Sequence, residues 1–123
     1  MENVKLINKT PHVLNLIMED GTKISLEPVL PTPRVSSSSV KTAAYVITDS
    51  DGAEHIVVRE ALSFGEIVDL PEEKEGTIYI VSMLVASRAN NRSDLVSPGR
   101  QIRNEAGQVI GCLGLQGKEG EVL

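Results

Sequence analysis

The apolar positions of this chain fall into short alternating runs rather than long helical stripes. Lys23 to Glu27 shows this most cleanly: Ile24 and Leu26 point one way and Lys23, Ser25 and Glu27 the other, the period of two of a half-buried strand. Val4 to Asn8 and His12 to Met18 are two further β-leaning segments, divided by Thr10-Pro11, and Glu19-Asp20-Gly21-Thr22 supplies a tight turn before Lys23. Together these segments predict an N-terminal antiparallel meander. Pro28, Pro31 and Pro33 fix φ and remove donors across Glu27 to Arg34, which reads as extended chain or a sheet edge. Ser36 to Ser39 reads as a low-complexity linker, with a hydroxyl-rich wall of a ligand site as the alternative. Val40 to Thr48 and Glu54 to Glu60 predict a hairpin about Asp49-Ser50-Asp51-Gly52. That tetrapeptide resembles the start of a calcium loop, but further ligands at the required spacing are missing. Phe64 to Leu70 alternates again, with Phe64, Val68 and Leu70 on one face and Glu66 intruding, and Pro71 to Gly76 reads as a charged surface loop.

From Thr77 the pattern changes. Ile78, Tyr79, Ile80 and Val81 are apolar on both faces, as in a strand buried in the middle of a sheet. Ser82 then has the hydroxyl to cap a short helix over Met83 to Asn90, with Leu84 and Val85 on its buried side. If that helix reached Arg92, Arg88 and Arg92 would share a face, four residues apart. Ser97-Pro98-Gly99 reads as a turn, Arg100 to Asn104 as a strand, Glu105-Ala106-Gly107 as a turn and Gln108 to Gln116 as the last strand. The expected fold class is α+β, a predominantly antiparallel β-sheet with one or two short helices. A single compact domain is expected over residues 1–117, with a loose tail at 118–123.

Composition narrows the function classes. One domain's worth of chain, 123 residues, has only Tyr45, Phe64 and Tyr79 as aromatics, so its core must be aliphatic and can gain from burial against a partner chain. Seventeen acidic residues against twelve basic ones, a formal charge of -5, argue against a protein that coats DNA. A lone cysteine, Cys112, leaves no disulfide framework and fits a reducing compartment. With no secretory signal pattern and no run near the roughly 18 apolar residues of a membrane span, the expectation is a cytoplasmic protein without a membrane partner.

Within that acidic chain, Ala86 to Asn104 holds four arginines (Arg88, Arg92, Arg100, Arg103) and one acid (Asp94), a local balance of +3 that leaves -8 for the remainder. Arginine meets phosphate oxygens two at a time and stacks on base faces, so the island suits an anionic ligand. The competing reading is that these arginines pair with Glu60, Glu66, Glu72 or Asp94. Asp94 can accept from a base amino group or ribose hydroxyl, or can orient a neighbouring arginine. Asn90 and Asn91 carry the donor and acceptor pairs that read a base edge, and equally suit a helix end. Catalytic signals are poor: His12 and His55 lie in separate predicted strands without a nucleophile or metal-ligand motif, Cys112 in GCLG reads as a small buried hydrophobe, and no Gly-rich phosphate loop is present. Binding without turnover is the economical reading, with no cofactor, no metal site and no catalytic residue expected.

The segments LINKTPH (Leu6 to His12), YIVSMLVA (Tyr79 to Ala86), RSDLVSPG (Arg92 to Gly99) and IRNEAGQVIGC (Ile102 to Cys112) resemble a group of short phage and bacterial proteins that includes the Thoeris anti-defence protein 1 family. The likeness covers the N-terminal strands and the C-terminal third. It implies a β-rich homo-oligomer, a dimer or trimer of dimers, that sequesters cyclic ADP-ribose isomers in interface pockets without cleaving them. The protein would act in the cytoplasm of an infected bacterium. Under that resemblance Arg88, Arg92, Arg100 and Arg103 would receive phosphate and Asn91 and Asp94 would serve polar readout. Base stacking would fall to Phe64 or an arginine plane, since the segment has no aromatic after Tyr79. Two other classes remain open: an accessory module whose arginines dock an acidic protein, and a small nucleotide-signal hydrolase using Asp94 or His12.

Overall fold

The computed structural model describes residues 1–89 and 91–117. Asn90, and the tail expected to be loose at 118–123, lie outside the described residues. The described residues form eight strands and one short helix: β1 (Lys5–Asn8), β2 (Leu14–Ile17), β3 (Lys23–Leu26), β4 (Arg34–Thr48), β5 (Glu54–Val68), β6 (Thr77–Ile80), α1 (Met83–Arg88), β7 (Leu95–Arg103) and β8 (Val109–Gln116). The sheet-dominated α+β class is as expected. The sheet is mixed, however: β1–β6, β6–β7 and β2–β8 pair in parallel, β2–β3 and β7–β8 antiparallel. Two compact units divide the chain, Met1–Arg34 with Ile67–Leu123, and Val35–Glu66.

The first unit carries a six-stranded sheet in the order β1-β6-β7-β8-β2-β3. The expected meander is therefore reduced to the β2–β3 hairpin, because β1 pairs with β6 instead, Leu6 against Ile78 and Asn8 against Ile80. β6 and the residue after it are buried as the apolar run predicts: Ile80 and Val81 are fully enclosed, Tyr79 nearly so and Ile78 half-buried. Ser82 caps α1 as expected, its hydroxyl accepting from the Val85 N–H at 3.3 Å. Val85, Ala86 and Ala89 form the buried stripe, and Leu84, expected inside, is exposed with Met83, because it lies about a quarter-turn off that stripe. Ala89 leaves helical backbone (φ −93°, ψ 74°), so the helix ends before Arg92 and does not set Arg88 and Arg92 on one face.

The sheet's two edges meet at Asn8. After β3 the chain returns alongside β1, where Pro28 bridges Asn8 and the Val29 N–H donates to the Asn8 carbonyl at 2.8 Å. The Asn8 side chain, 1% exposed, donates from Nδ2 to the carbonyls of His12 (2.8 Å) and Leu26 (2.9 Å). Its Oδ1 accepts from the N–H (3.0 Å) and hydroxyl (2.6 Å) of Thr10. All four hydrogen-bonding positions of the amide are filled, which is what burial of such a group requires.

Ser97-Pro98-Gly99, expected as a turn, lies inside β7. β6 pairs with β7 only through Leu95 and Val96, so from Pro98 onward that side of β7 has no ladder and the missing proline N–H leaves nothing unpaired. Gly99 is demanded by a close approach: a Cβ there would stand 2.0 Å from the carbonyl oxygen of Leu113.

In the second unit Ser36 to Ser39, read as linker, belongs to β4, and the predicted hairpin runs on to strands of 15 residues each. Its turn is at the expected place. The Asp49 carboxylate accepts from the backbone N–H groups of Asp51 and Ala53 and contacts His55 Nε2 at 2.7 Å, while Gly52 takes φ of +87°. The His55 contact and those N–H groups hold the Asp49 carboxyl below the usual carboxylate range.

Candidate functional site

The structure separates the four arginines of the basic island. Arg92 turns inward as Asp94 takes it up in a two-pronged contact, Nε to Oδ1 at 2.7 Å and Nη2 to Oδ2 at 2.8 Å, and Nη2 also donates to the Pro71 carbonyl at 2.8 Å. The two side chains are 19% and 7% exposed. The hydrogen bonds it donates to Asp94 hold the Arg92 guanidinium pKa above its ordinary value in spite of partial burial. Of the alternatives open for Asp94, it adopts the one that orients an arginine. The pair ties the loop after α1 to the start of the charged loop ahead of β6, which is further pinned where Tyr79 Oη donates to the Glu72 carbonyl at 3.1 Å.

Arg103 is exposed near the end of β7. Its Nη1 donates to the Gly107 carbonyl at 2.7 Å, bracing the β7–β8 turn, and Nη2 reaches Gln101 Oε1 at 3.3 Å. Arg100 is exposed, on the face of β7 opposite Gln101 by strand alternation, and its side chain has no hydrogen-bond or ion-pair partner among the described residues. Arg88 is exposed at the last residue of α1 and Asn91 is exposed beyond it. Phe64 belongs to the other unit, on β5, and is 41% exposed. Asn90 lies outside the described residues. The pairing of the arginines with Glu60, Glu66, Glu72 or Asp94 is thus realised at Arg92 with Asp94, while among the described residues the Arg103 side chain binds only neutral oxygens and that of Arg100 none.

Sequence reading missed a groove. β2 and β8 are paired only through Leu16–Cys112 and Ile17–Leu113, so ahead of Leu16 no ladder joins them and a groove of about 440 Å³ opens. Val13 and Val109, each half exposed, give it apolar walls, and Thr10, His12, Asn15 and Gln101 bring polar groups to it. Gly111 keeps its floor close, since a Cβ there would stand 2.6 Å from the Asn15 carbonyl oxygen. The groove is built by strands distant in sequence, and the one signal that could have pointed to it was Gly111 beside Cys112. Gln101 joins the two features: it lines the groove and accepts from Arg103, so a cation stands against the groove's polar wall.

Cys112 is buried, its thiol directed to the Gly114 carbonyl at 3.7 Å. His12 lies in the groove, in the loop ahead of β2 rather than in a strand, and no nucleophile or carboxylate bonds its ring among the described residues. No group of three His, Cys, Asp or Glu among those residues is placed to hold a metal ion, and no helix among them is long and apolar enough to cross a membrane. The chain matches no protein-family model, no curated protein and no solved structure.

Proposed function

We propose that this protein is a phage anti-defence protein that binds and sequesters an anionic cyclic nucleotide immune signal, of the cyclic ADP-ribose isomer class, without cleaving it, in the cytoplasm of the infected bacterium. The observation that supports this reading best is the juxtaposition of a groove of about 440 Å³ with Arg103, a guanidinium that no carboxylate of the described residues neutralises. That volume lies within the range of small-molecule sites, which combine apolar walls with a few convergent polar groups. A base would lie between Val13 and Val109, its edge read by Gln101 and Asn15, and a phosphate would draw Arg103 from the Gly107 carbonyl. Such an exchange replaces a neutral acceptor by a charged one, which strengthens the bond.

Nanomolar capture needs about -12 kcal/mol. Two charge-assisted contacts at roughly 1.5 to 3 kcal/mol each and one stacked base at about 1 to 3 reach a gross sum of about 4 to 9. The shortfall makes a second subunit, closing over the ligand, part of the proposal. The test is titration calorimetry of the protein with cyclic ADP-ribose isomers. The proposal expects binding that weakens at least tenfold in Arg103→Ala and Gln101→Ala, with melting temperatures within about 3 °C of the parent. Equal affinity in both variants removes this groove from the site, and absence of binding to every isomer overturns the ligand class.

A further inference from the structure

The hairpin of β4 and β5 has a surface that its own sequence does not justify leaving in water. Side chains alternate along a strand, so even-numbered positions of each strand share one face and odd-numbered positions the other. That odd positions of β4 and β5 lie together is shown by Arg59 Nη1, which donates to Tyr45 Oη at 3.2 Å. The even face then carries Val40 and Val46 from β4 and Ile56, Val58, Leu62 and Phe64 from β5. All six are exposed, between 41% and 73%. A solvent-facing strand ordinarily places polar residues at such positions, and here six bulky apolar ones repeat with period two along most of the hairpin.

An isolated two-stranded ribbon is at best marginally stable in water, and both its outer edges present unpaired backbone groups. Strands of this length form only if something covers them. The ribbon runs about 45 Å at roughly 3.4 Å per residue.

We infer that the even face of the β4–β5 hairpin is a self-association surface, covered by the same face of a second copy across a two-fold axis. This rests on the homo-oligomer proposed above and names its surface. Three observations select a second copy over another occupant. The first is area. A ribbon about 45 Å long and about 10 Å wide offers on the order of 500 Å², and two such faces bury on the order of 1,000 Å², the threshold for a specific interface. The second is obligation. A face needed for the hairpin to persist must be covered whenever the chain is folded, and a copy of the same chain is the partner always at hand, as in obligate homodimers. The third is charge. Glu54, Glu60 and Glu66 share the face with Arg34 as its one cation, which disfavours anionic membranes and nucleic acid as occupants.

The experiment is sedimentation equilibrium of the full chain between about 1 and 100 μM, with the parent compared to Ile56→Arg/Leu62→Arg on the even face and Val57→Arg/Ala61→Arg on the odd face. The inference expects an even-numbered parent assembly, at least a hundredfold weaker association in the even-face variant and unchanged association in the odd-face variant. A monomeric parent at 100 μM overturns it, and so does an even-face variant that associates like the parent. Should the even-face variant lose its hairpin, hydrogen exchange of the parent decides: protection of β4 and β5 amides must fall on dilution, and concentration-independent protection rejects the interface. Ligand titration of the same samples separates the two proposals. An assembled parent that binds no nucleotide fails the function and keeps the interface, and a nucleotide-binding monomer does the reverse.

Discussion

Asn8 gives the sharpest test of how the sheet is closed. In Asn8→Ala four hydrogen bonds disappear: two donated to the His12 and Leu26 carbonyls and two accepted from Thr10. At about 0.5 to 1.5 kcal/mol net each, and with His12 and Thr10 able to turn to water, the expected loss is about 2 to 4 kcal/mol. Asn8→Asp is more informative because it keeps the shape and removes the two donors. The introduced carboxylate then faces two carbonyl oxygens in a position 1% exposed, so its folded pKa is raised above the unfolded value near 3.9. A raised carboxyl pKa means that the unfolded state releases its proton first. The extra destabilisation is thus absent below the unfolded pKa and grows as pH rises through it towards the folded pKa. Urea melts read by circular dichroism measure both effects. With a slope of about 1 to 3 kcal/mol per M, the midpoint of Asn8→Ala falls by about 1 to 3 M. The deficit of Asn8→Asp is larger at pH 7 than at pH 4 by at least about 1 kcal/mol. A midpoint shift below about 0.5 M at pH 7, or a deficit independent of pH, would refute the reasoning that Asn8 seals the meeting edges.

The remaining expectations concern three other sites. Arg92→Ala strands the Asp94 carboxylate, whose side chain is 7% exposed, and is expected to destabilise by about 3 kcal/mol in the same melts, whereas the double variant Arg92→Met/Asp94→Leu recovers most of that loss; additive losses would show the pair to be uncoupled. Gly99→Ala is expected to disrupt folding, since its Cβ meets the Leu113 carbonyl at 2.0 Å, while the same change at Gly107, where nothing stands within 4 Å, brings only the strain of φ near +82° and a loss of about 1 kcal/mol. At the hairpin tip, contact with His55 and backbone N–H groups depresses the Asp49 pKa, so their contribution is present above the unfolded value and is lost as pH falls through the folded one. Titration by nuclear magnetic resonance should place the Asp49 midpoint below that of a model peptide and raise it in His55→Ala; an unmoved midpoint excludes the contact in solution.

The parts legible in the sequence were those fixed by neighbours in the chain. Four consecutive apolar residues, Ile78 to Val81, demand burial on both faces whatever lies beside them, and β6 has it. Ser82 and Asp49-Ser50-Asp51-Gly52 act through hydrogen bonds a few residues long, and both do as their chemistry predicts. What escaped was set by distant partners. Serines 36 to 39 have no strong preference of their own and become strand because β5 lies beside them. Pro98 punctuates a sequence locally, yet it sits in β7 because the neighbouring strand has already ended. β1 leaves the expected meander for a parallel partner some seventy residues away, as register across a parallel pair carries no local mark. The basic island was legible as composition only. Which arginine turns inward was decided by Asp94 and Pro71, and which stands against a groove by Gln101, itself placed by the β7–β8 register.

Capture without turnover, the function proposed above, is tested by one measurement. The protein is saturated with a cyclic ADP-ribose isomer, freed of unbound ligand by gel filtration, heated to denature it, and the released small molecule is analysed by chromatography and mass spectrometry. Capture without turnover predicts recovery of the intact cyclic molecule in stoichiometric proportion to protein subunits or to subunit pairs. Recovery of a linear or otherwise hydrolysed product, or of no nucleotide at all, would contradict it.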